Sequence, residues 1–151
     1  MQAADLTQRE ILTCSERDAL DHVAGMMWKY DIGCLPVVND HGRLIGMITD
    51  RDVAMAAYHQ GAPLRSITVS SVMTREVVTC REHDPVHDVE QAMRQRQVRR
   101  VPVIDDQGKL VGMITINDIA RAAHEGKLPL TEVASTLSAI SRPRLVHPDV
   151  E

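Results

Sequence analysis

The chain has 151 residues, 44% of them hydrophobic, and a net charge of −4. That is enough for one compact domain or two small intertwined ones. No stretch reaches the roughly 20 apolar residues of a membrane span, and the mild acidity gives no general attraction to nucleic acid or an anionic membrane.

One Trp, two Tyr and no Phe leave almost no platform for stacking single-stranded bases. The core must therefore come from Val, Ile, Leu, Met and Ala, with the eight Met as flexible filler. The N-terminal run MQAADLTQRE lacks the apolar centre of a secretory signal. Cys14, Cys34 and Cys80 are an odd count without a CxxC pair and read as free thiols of a reducing compartment. A cytoplasmic location is expected.

The predicted elements run through the chain twice. Residues 9–57 align on residues 75–123 without a gap, at an offset of 66 residues (Gly42 to Gly108). Each copy opens on a short strand, Ile11-Leu12-Thr13 and Val77-Val78-Thr79. A helix follows, with Asp18 and Asp84 as N-caps and Pro85 at the first helical position. Leu20, Val23 and Met27, matched by Val86, Val89 and Met93, recur at helical spacing. The next strand is Leu35-Pro36-Val37-Val38 or Val101-Pro102-Val103-Ile104, where the Pro predicts an edge or a strand start.

Gly42 and Gly108 sit in polar turns, so a hairpin leads to the strands Leu44–Ile48 and Leu110–Ile114. Gly46 and Gly112 interrupt those strands and predict the close approach of a backbone or a ligand. Thr49-x-x-Asp52 and Thr115-x-x-Asp118 have the spacing of a capping box and open a second helix. The expected organisation is a first repeat over 5–60, a linker over 61–74, a second repeat over 75–126, and a C-terminal helix and tail over 127–151. Pro129 and Thr131 start that helix, with Val133, Leu137 and Ile140 as its apolar face. The tail from Ser141 to Glu151 reads as mobile.

A Pro-Val strand, an acidic turn with Gly, and a G-x-x-T-x-x-D run opening a helix resemble the cystathionine-β-synthase (CBS) domain. Asp31-Ile32-Gly33, the TDRD run at Thr49 and the VRRVPV run at Val98 are similar to small bacterial two-CBS proteins of the hypoxia-response type. The resemblance covers about residues 5–125. It implies an α+β fold: two strand-helix-strand-strand-helix repeats closed about a pseudo-two-fold axis. It also implies an adenine nucleotide or related adenosyl compound in clefts between the repeats, with Thr49 and Thr115 on phosphate and Asp52 and Asp118 on ribose hydroxyls. AMP, ADP, ATP, NAD and S-adenosylmethionine are the candidate ligands. A helix N-terminus suits a phosphate and a carboxylate suits a ribose, and Gly46 and Gly112 would let a purine lie close to the backbone.

The same Thr-x-x-Asp spacing also serves a helix start with no ligand. The two sites differ: Asp50-Arg51 follows Thr49, Ile116-Asn117 follows Thr115, and Arg99-Arg100 precede the second Pro strand. Arg51 and Arg100 are therefore candidate phosphate contacts, and one cleft is expected to bind better than the other. Arg94, Arg96, Arg99 and Arg100 also read as a solvated basic edge. Cys80, His83, Asp84, His87 and Asp88 match no common zinc spacing, so no metal site is expected. No nucleophilic elbow, P-loop or GxGxxG is present, which points away from an enzyme. The expected protein is a ligand-sensing homodimer with an unidentified protein partner, no nucleic acid and no membrane. The alternative is a stress-associated interaction scaffold without a nucleotide.

Overall fold

Residues one repeat apart in the chain meet each other in space. In the computed structural model, which describes residues 1–144, Arg43 and Lys109 form an antiparallel bridge. The Leu44 amide donates to the Gly108 carbonyl and the Leu110 amide to the Gly42 carbonyl, both at 3.1 Å. Each of these groups bonds the counterpart of its own partner, so a local two-fold axis passes between the two hairpin turns. Gly42 and Gly108 make the turns with φ of 75° and 78°, a region open to glycine because it lacks a Cβ.

The first repeat runs β1 (Cys14–Ser15), α1 (Leu20–Tyr30), β2 (Cys34–Val38), β3 (Leu44–Thr49) and α2 (Asp50–Gln60). Short 3-10 turns at Leu64–Ser66 and Val69–Ser71 lead to the second repeat: α3 (Val86–Arg96), β4 (Arg100–Ile104), β5 (Leu110–Thr115) and α4 (Ile116–His124). α5 (Leu130–Ile140) follows. β2 lies between β1, to which it is parallel, and β3, to which it is antiparallel. β4 and β5 repeat the hairpin, and Cys80 stands in for β1 with a single bridge to Val103.

The sheets exchange their edges. Thr74 pairs with Met47 of the first repeat, while Gln8, at the start of the chain, pairs with Met113 of the second. Ala3 is buried and Leu6 packs in the second repeat's core, and Ile67, Val69 and Met73 are buried in the first. Residues 9–13 and 75–79 thus cross from one sheet to the other. This explains why Ile11-Leu12-Thr13 and Val77-Val78-Thr79 are not the strands their composition suggests. They pair with no strand, and the ladders begin only at Cys14 and Cys80.

Three other expectations need correction. Asp18 and Asp84 do not cap α1 and α3; Ala19 and Pro85 hold those positions. Each Asp instead accepts from an amide three residues earlier, Ser15 or Arg81, and closes the turn before the helix. Pro36 and Pro102 are third in their strands, not first. Around Pro102, the Cys80 amide donates to the Pro102 carbonyl and the Ile104 amide to the Cys80 carbonyl. The missing proline N–H therefore falls upstream of the paired residue and leaves no ladder bond unmade. On α5 the buried residues are Val133, Thr136 and Ile140, while Leu137 faces out. The rest of the tail, residues 145–151, lies outside the described residues.

Candidate functional site

Both Thr-x-x-Asp runs form complete capping boxes. Thr49 accepts from the Asp52 amide at 3.1 Å, and the Thr49 amide donates to Asp52 Oδ2 at 2.9 Å. Thr115 accepts from the Asp118 amide at 3.3 Å, and its own amide donates to Asp118 Oδ2 at 2.8 Å. The alternation of each strand delivers Thr to the ladder's last position, and the following helix turns the Asp back over it.

The resemblance ends there. Thr115 Oγ1 donates to Asp118 Oδ2 at 2.7 Å, Gln8 Nε2 donates to Asp118 Oδ1 at 3.2 Å, and Arg121 pairs with the same Oδ1. Asp118 is 5% exposed. Among the described residues no donor reaches Asp52 Oδ1, and the Thr49 hydroxyl proton has no acceptor. Asp52 is half-buried. The repeat places Thr74 where Gln8 stands and Met55 where Arg121 stands. These two pairs of unlike residues are the sequence signal for the difference, and reading the sites from Thr and Asp alone misses Gln8 and Arg121.

Arg100 is exposed and pairs in the ladder with Thr115, as Cys34 pairs with Thr49. The Cys34 thiol is pushed up to about 11, chiefly by burial; the Arg100 guanidinium opposes this and the Asp52 and Asp50 carboxylates add to it. A charge from the second repeat therefore acts at the same place as the two carboxylates of the first. Arg51 is exposed in the first turn of α2, with no ion pair among the described residues. Arg94 is not part of a free basic edge, because it donates to Thr136 on α5 at 2.9 Å.

Gly46 and Gly112 are crowded by protein. A Cβ on Gly46 would lie 2.8 Å from Met73 Sδ and 2.9 Å from the Thr74 carbonyl. One on Gly112 would lie 2.2 Å from Thr7 Cγ2 and 2.6 Å from the Gln8 carbonyl. The exchanged edge strands, rather than a purine, take that space. A hollow of about 570 Å³ opens where residues 76–79 cross between the repeats, walled by Val77, Val78 and Thr79 with Arg96 at its edge. It does not include Thr49, Asp52, Thr115 or Asp118.

The five metal candidates do not converge. Cys80 is buried in the core, its thiol held up at about 12 by burial and by Asp84. His83 and His87 are exposed, and His87 stands 3.7 Å from Glu132. Cys14 is likewise held up at about 12, mainly by burial, so both thiols stay protonated as small core residues. Among the described residues no group of three or more His, Cys, Asp or Glu is placed to hold a metal ion, and no helix is long and apolar enough to cross a membrane.

Comparison with known proteins agrees with this architecture. A family model for the CBS domain matches residues 3–59 and again 69–125. Hypoxic response protein 1 of Mycobacterium tuberculosis is 31% identical over 141 residues, 93% of this chain and 94% of its own. The CBS domain-containing protein YhcV of Bacillus subtilis is 35% identical over 116 residues, 77% of this chain and 81% of that one. Other relatives are longer: the chain spans 61% of an uncharacterized protein of Methanopyrus kandleri and 22% of an L-aspartate semialdehyde sulfurtransferase of Methanocaldococcus jannaschii.

Among solved structures, the CBS domain pair of protein MJ0100, in complex with 5-methylthioadenosine and S-adenosyl-L-methionine, superposes with a TM-score of 0.75. It is 31% identical and covers 84% of this chain and 98% of that one. Hypoxic Response Protein I, with two coordinated zinc ions, superposes with a TM-score of 0.73 at 32% identity, covering 80% and 98%. With two matched repeats over most of its length, the chain belongs to the CBS domain family as a tandem pair.

Proposed function

We propose that the chain is a non-catalytic regulatory CBS pair that binds an adenine nucleotide or related adenosyl compound between its repeats. The observation that carries this reading is the state of the first Thr-x-x-Asp run: a hydroxyl proton on Thr49 and a carboxylate oxygen on Asp52 that the described residues leave without partners. Asp52 takes the ribose hydroxyls, and Thr49, Arg51 and Arg100 take phosphate when the ligand has one. Asp118 and Thr115 form the weaker second site, because Gln8 and Arg121 already hold that carboxylate. The adenosyl ligands of the MJ0100 pair support the ligand class.

Signalling follows from differential binding. A ligand that touches both repeats favours one arrangement of them, and a homodimer passes that shift to a protein partner. Titration calorimetry with S-adenosylmethionine, 5-methylthioadenosine, AMP, ADP, ATP and NAD tests the reading. The expected result is one tight and one weaker site per chain, the tight one lost in Asp52→Ala and kept in Asp118→Ala. Arg100→Ala should weaken AMP more than S-adenosylmethionine, which carries no phosphate. Two equal and independent sites would overturn the asymmetry. No binding by any of the six would leave a ligand-free interaction scaffold, which the completeness of both capping boxes favours.

A further inference from the structure

α5 is an addition to the two repeats. The CBS family model ends at residue 125, and α5 begins at Leu130. From Leu128 onward, no backbone–backbone hydrogen bond among the described residues reaches another element. Side chains hold the helix instead. Val133 and Ile140 enter the core with Ile119 and Ala123 of α4, Arg94 of α3 donates to Thr136 at 2.9 Å, and Gln97 donates to the Ala139 carbonyl at 3.1 Å. The repeat maps Arg94, Gln97 and Ile119 onto Trp28, Asp31 and Val53. There, among the described residues, α5 has no counterpart, and an open hollow of about 380 Å³ is bounded by those three residues. The first repeat thus folds without an α5 of its own, and α5 can leave the second without unmaking a ladder.

The surface under α5 carries an acid. Glu90 is fully buried; its Oε1 accepts from Thr136 at a long 3.3 Å, and Oε2 has no partner among the described residues. Arg94, one turn along α3, gives its hydrogen bond to Thr136 and not to this carboxyl. The first repeat has Ala24 at the position of Glu90, so the acid and the cover occur together. A neutral carboxyl tolerates such a place. A carboxylate does not, because it forfeits its hydration for one weak bond. Few charges surround it. α5 brings Glu132, which disfavours a second negative charge; α3 brings Arg94, which favours one, and His87, 3.7 Å from Glu132. α4 and β4 contribute Ile119, Ala123, Val101 and Val103 to this core, all uncharged. Burial is the largest influence and pushes the Glu90 carboxyl above its ordinary value.

We propose that α5 is a proton-controlled latch, closed on the second repeat while Glu90 is protonated and released once that carboxyl ionises. Release returns the carboxylate to water, so opening gives up one proton. The latch is therefore firmest below the ordinary carboxyl value and loosens as pH climbs to the raised one. Gly126, at a φ of 77°, and the exposed Lys127 join α4 to α5 and form the hinge. What opening uncovers is the core that Val133 and Ile140 complete, with Ile119 and Ala123 in it. The latch does not depend on any ligand.

Hydrogen exchange of the full chain from mild acid to mild alkali tests it, with each rate referred to the intrinsic rate at the same pH. A His87→Asn parent keeps that imidazole from titrating beside Glu132. Protection of the α5 amides should fall by up to about tenfold per pH unit between the two Glu90 values and then level off, while α1 and β2 stay flat. Binding of an apolar dye should rise over the same window. Glu90→Gln should keep α5 protected at every pH. Glu132→Gln, at a half-buried position, should shrink the total fall, because one group that disfavours the ionised Glu90 is gone. α5 protection that does not change with pH overturns the proposal. So does a fall shared equally by α1, which is global unfolding, or a Glu90→Gln chain whose α5 loses protection as the parent's does. If Glu90→Gln does not fold, Glu132→Gln decides: a fall as large as the parent's overturns the latch, and a smaller one supports it.

Discussion

Asp52 and Asp118 occupy the same place in two copies of one unit, yet among the described residues Asp118 meets four donors and Asp52 meets one. On the outer side the contrast recurs: α5 lies over α3 and α4, while among the described residues α1 and α2 have no counterpart of α5. Among the described residues the second repeat satisfies more of its polar and apolar groups than the first does. A duplicated fold has no internal reason to keep one copy unsatisfied. The asymmetry therefore separates a repeat whose Asp is held by several of the described residues from one whose Asp is left open to other groups.

The sharpest way to break that comparison is at the two strand glycines. Gly112→Ala drives a Cβ into Thr7 and the Gln8 carbonyl, at 2.2 and 2.6 Å, and should cost about 3 kcal/mol or more. Gly46→Ala meets the flexible Met73 sulfur first, at 2.8 Å, and should cost roughly half as much. Urea unfolding gives both values, and equal costs would mean that the two exchanged edges are held alike.

Next comes the cover itself. Ile119 is fully buried in the core that α5 completes, whereas its counterpart Val53 lines the open hollow. Ile119→Ala should cost about 3 kcal/mol and Val53→Ala about 1–2 kcal/mol. The pair is best compared by urea unfolding of the chain at high dilution. If Val53→Ala costs as much there as Ile119→Ala, α5 is not what makes the second core tighter.

The Asp pair should split in two measurements at once. Asp118→Ala orphans Gln8 and Arg121 as well as the Thr115 amide, for about 2–3 kcal/mol of stability. Asp52→Ala loses a cap, for about 1 kcal/mol. Ligand affinity should respond in the opposite order. A variant set in which one Asp dominates both readouts would remove the division between a structural and a binding repeat.

Much of this was legible from local patterns. Leu20, Val23 and Met27 with their counterparts, the turns at Gly42 and Gly108, and both capping boxes follow from spacing alone, because each rests on contacts within a few residues. What escaped depends on distant partners. Ile11–Thr13 looks like a strand because an extended apolar run is the same in sequence whether it is paired or crossing between sheets. Leu137 and Thr136 both lie within reach of the α5 bed; Thr136 faces inward because Arg94 and Glu90 wait there, which no periodicity reports. Gln8 is far from Asp118 in the chain, and only the edge exchange brings them together.

The smallest expected effect concerns Glu90, where the second repeat's self-satisfaction is incomplete. Glu90 is fully buried under α5; Oε1 accepts weakly from Thr136 at 3.3 Å and Oε2 has no partner. Burial raises its carboxyl above the usual 4.5, the Thr136 hydroxyl opposes this, and Glu132 adds to the rise while Arg94 reduces it. A carboxyl raised in the folded state makes folding take up a proton. Its stability contribution is fully present below the unfolded value and is lost as pH rises through the folded one. Glu90's own contribution should therefore be largest in mild acid, and Glu90→Gln should gain about 1 kcal/mol at neutral pH and less as pH falls. His87 stands 3.7 Å from Glu132 at this contact, so urea unfolding is compared at several pH values in a His87→Asn background. A Gln variant that is destabilised at neutral pH, or whose difference from the wild type does not change with pH, would show that the ionised Glu90 belongs to the packing and that α5 is held on polar terms.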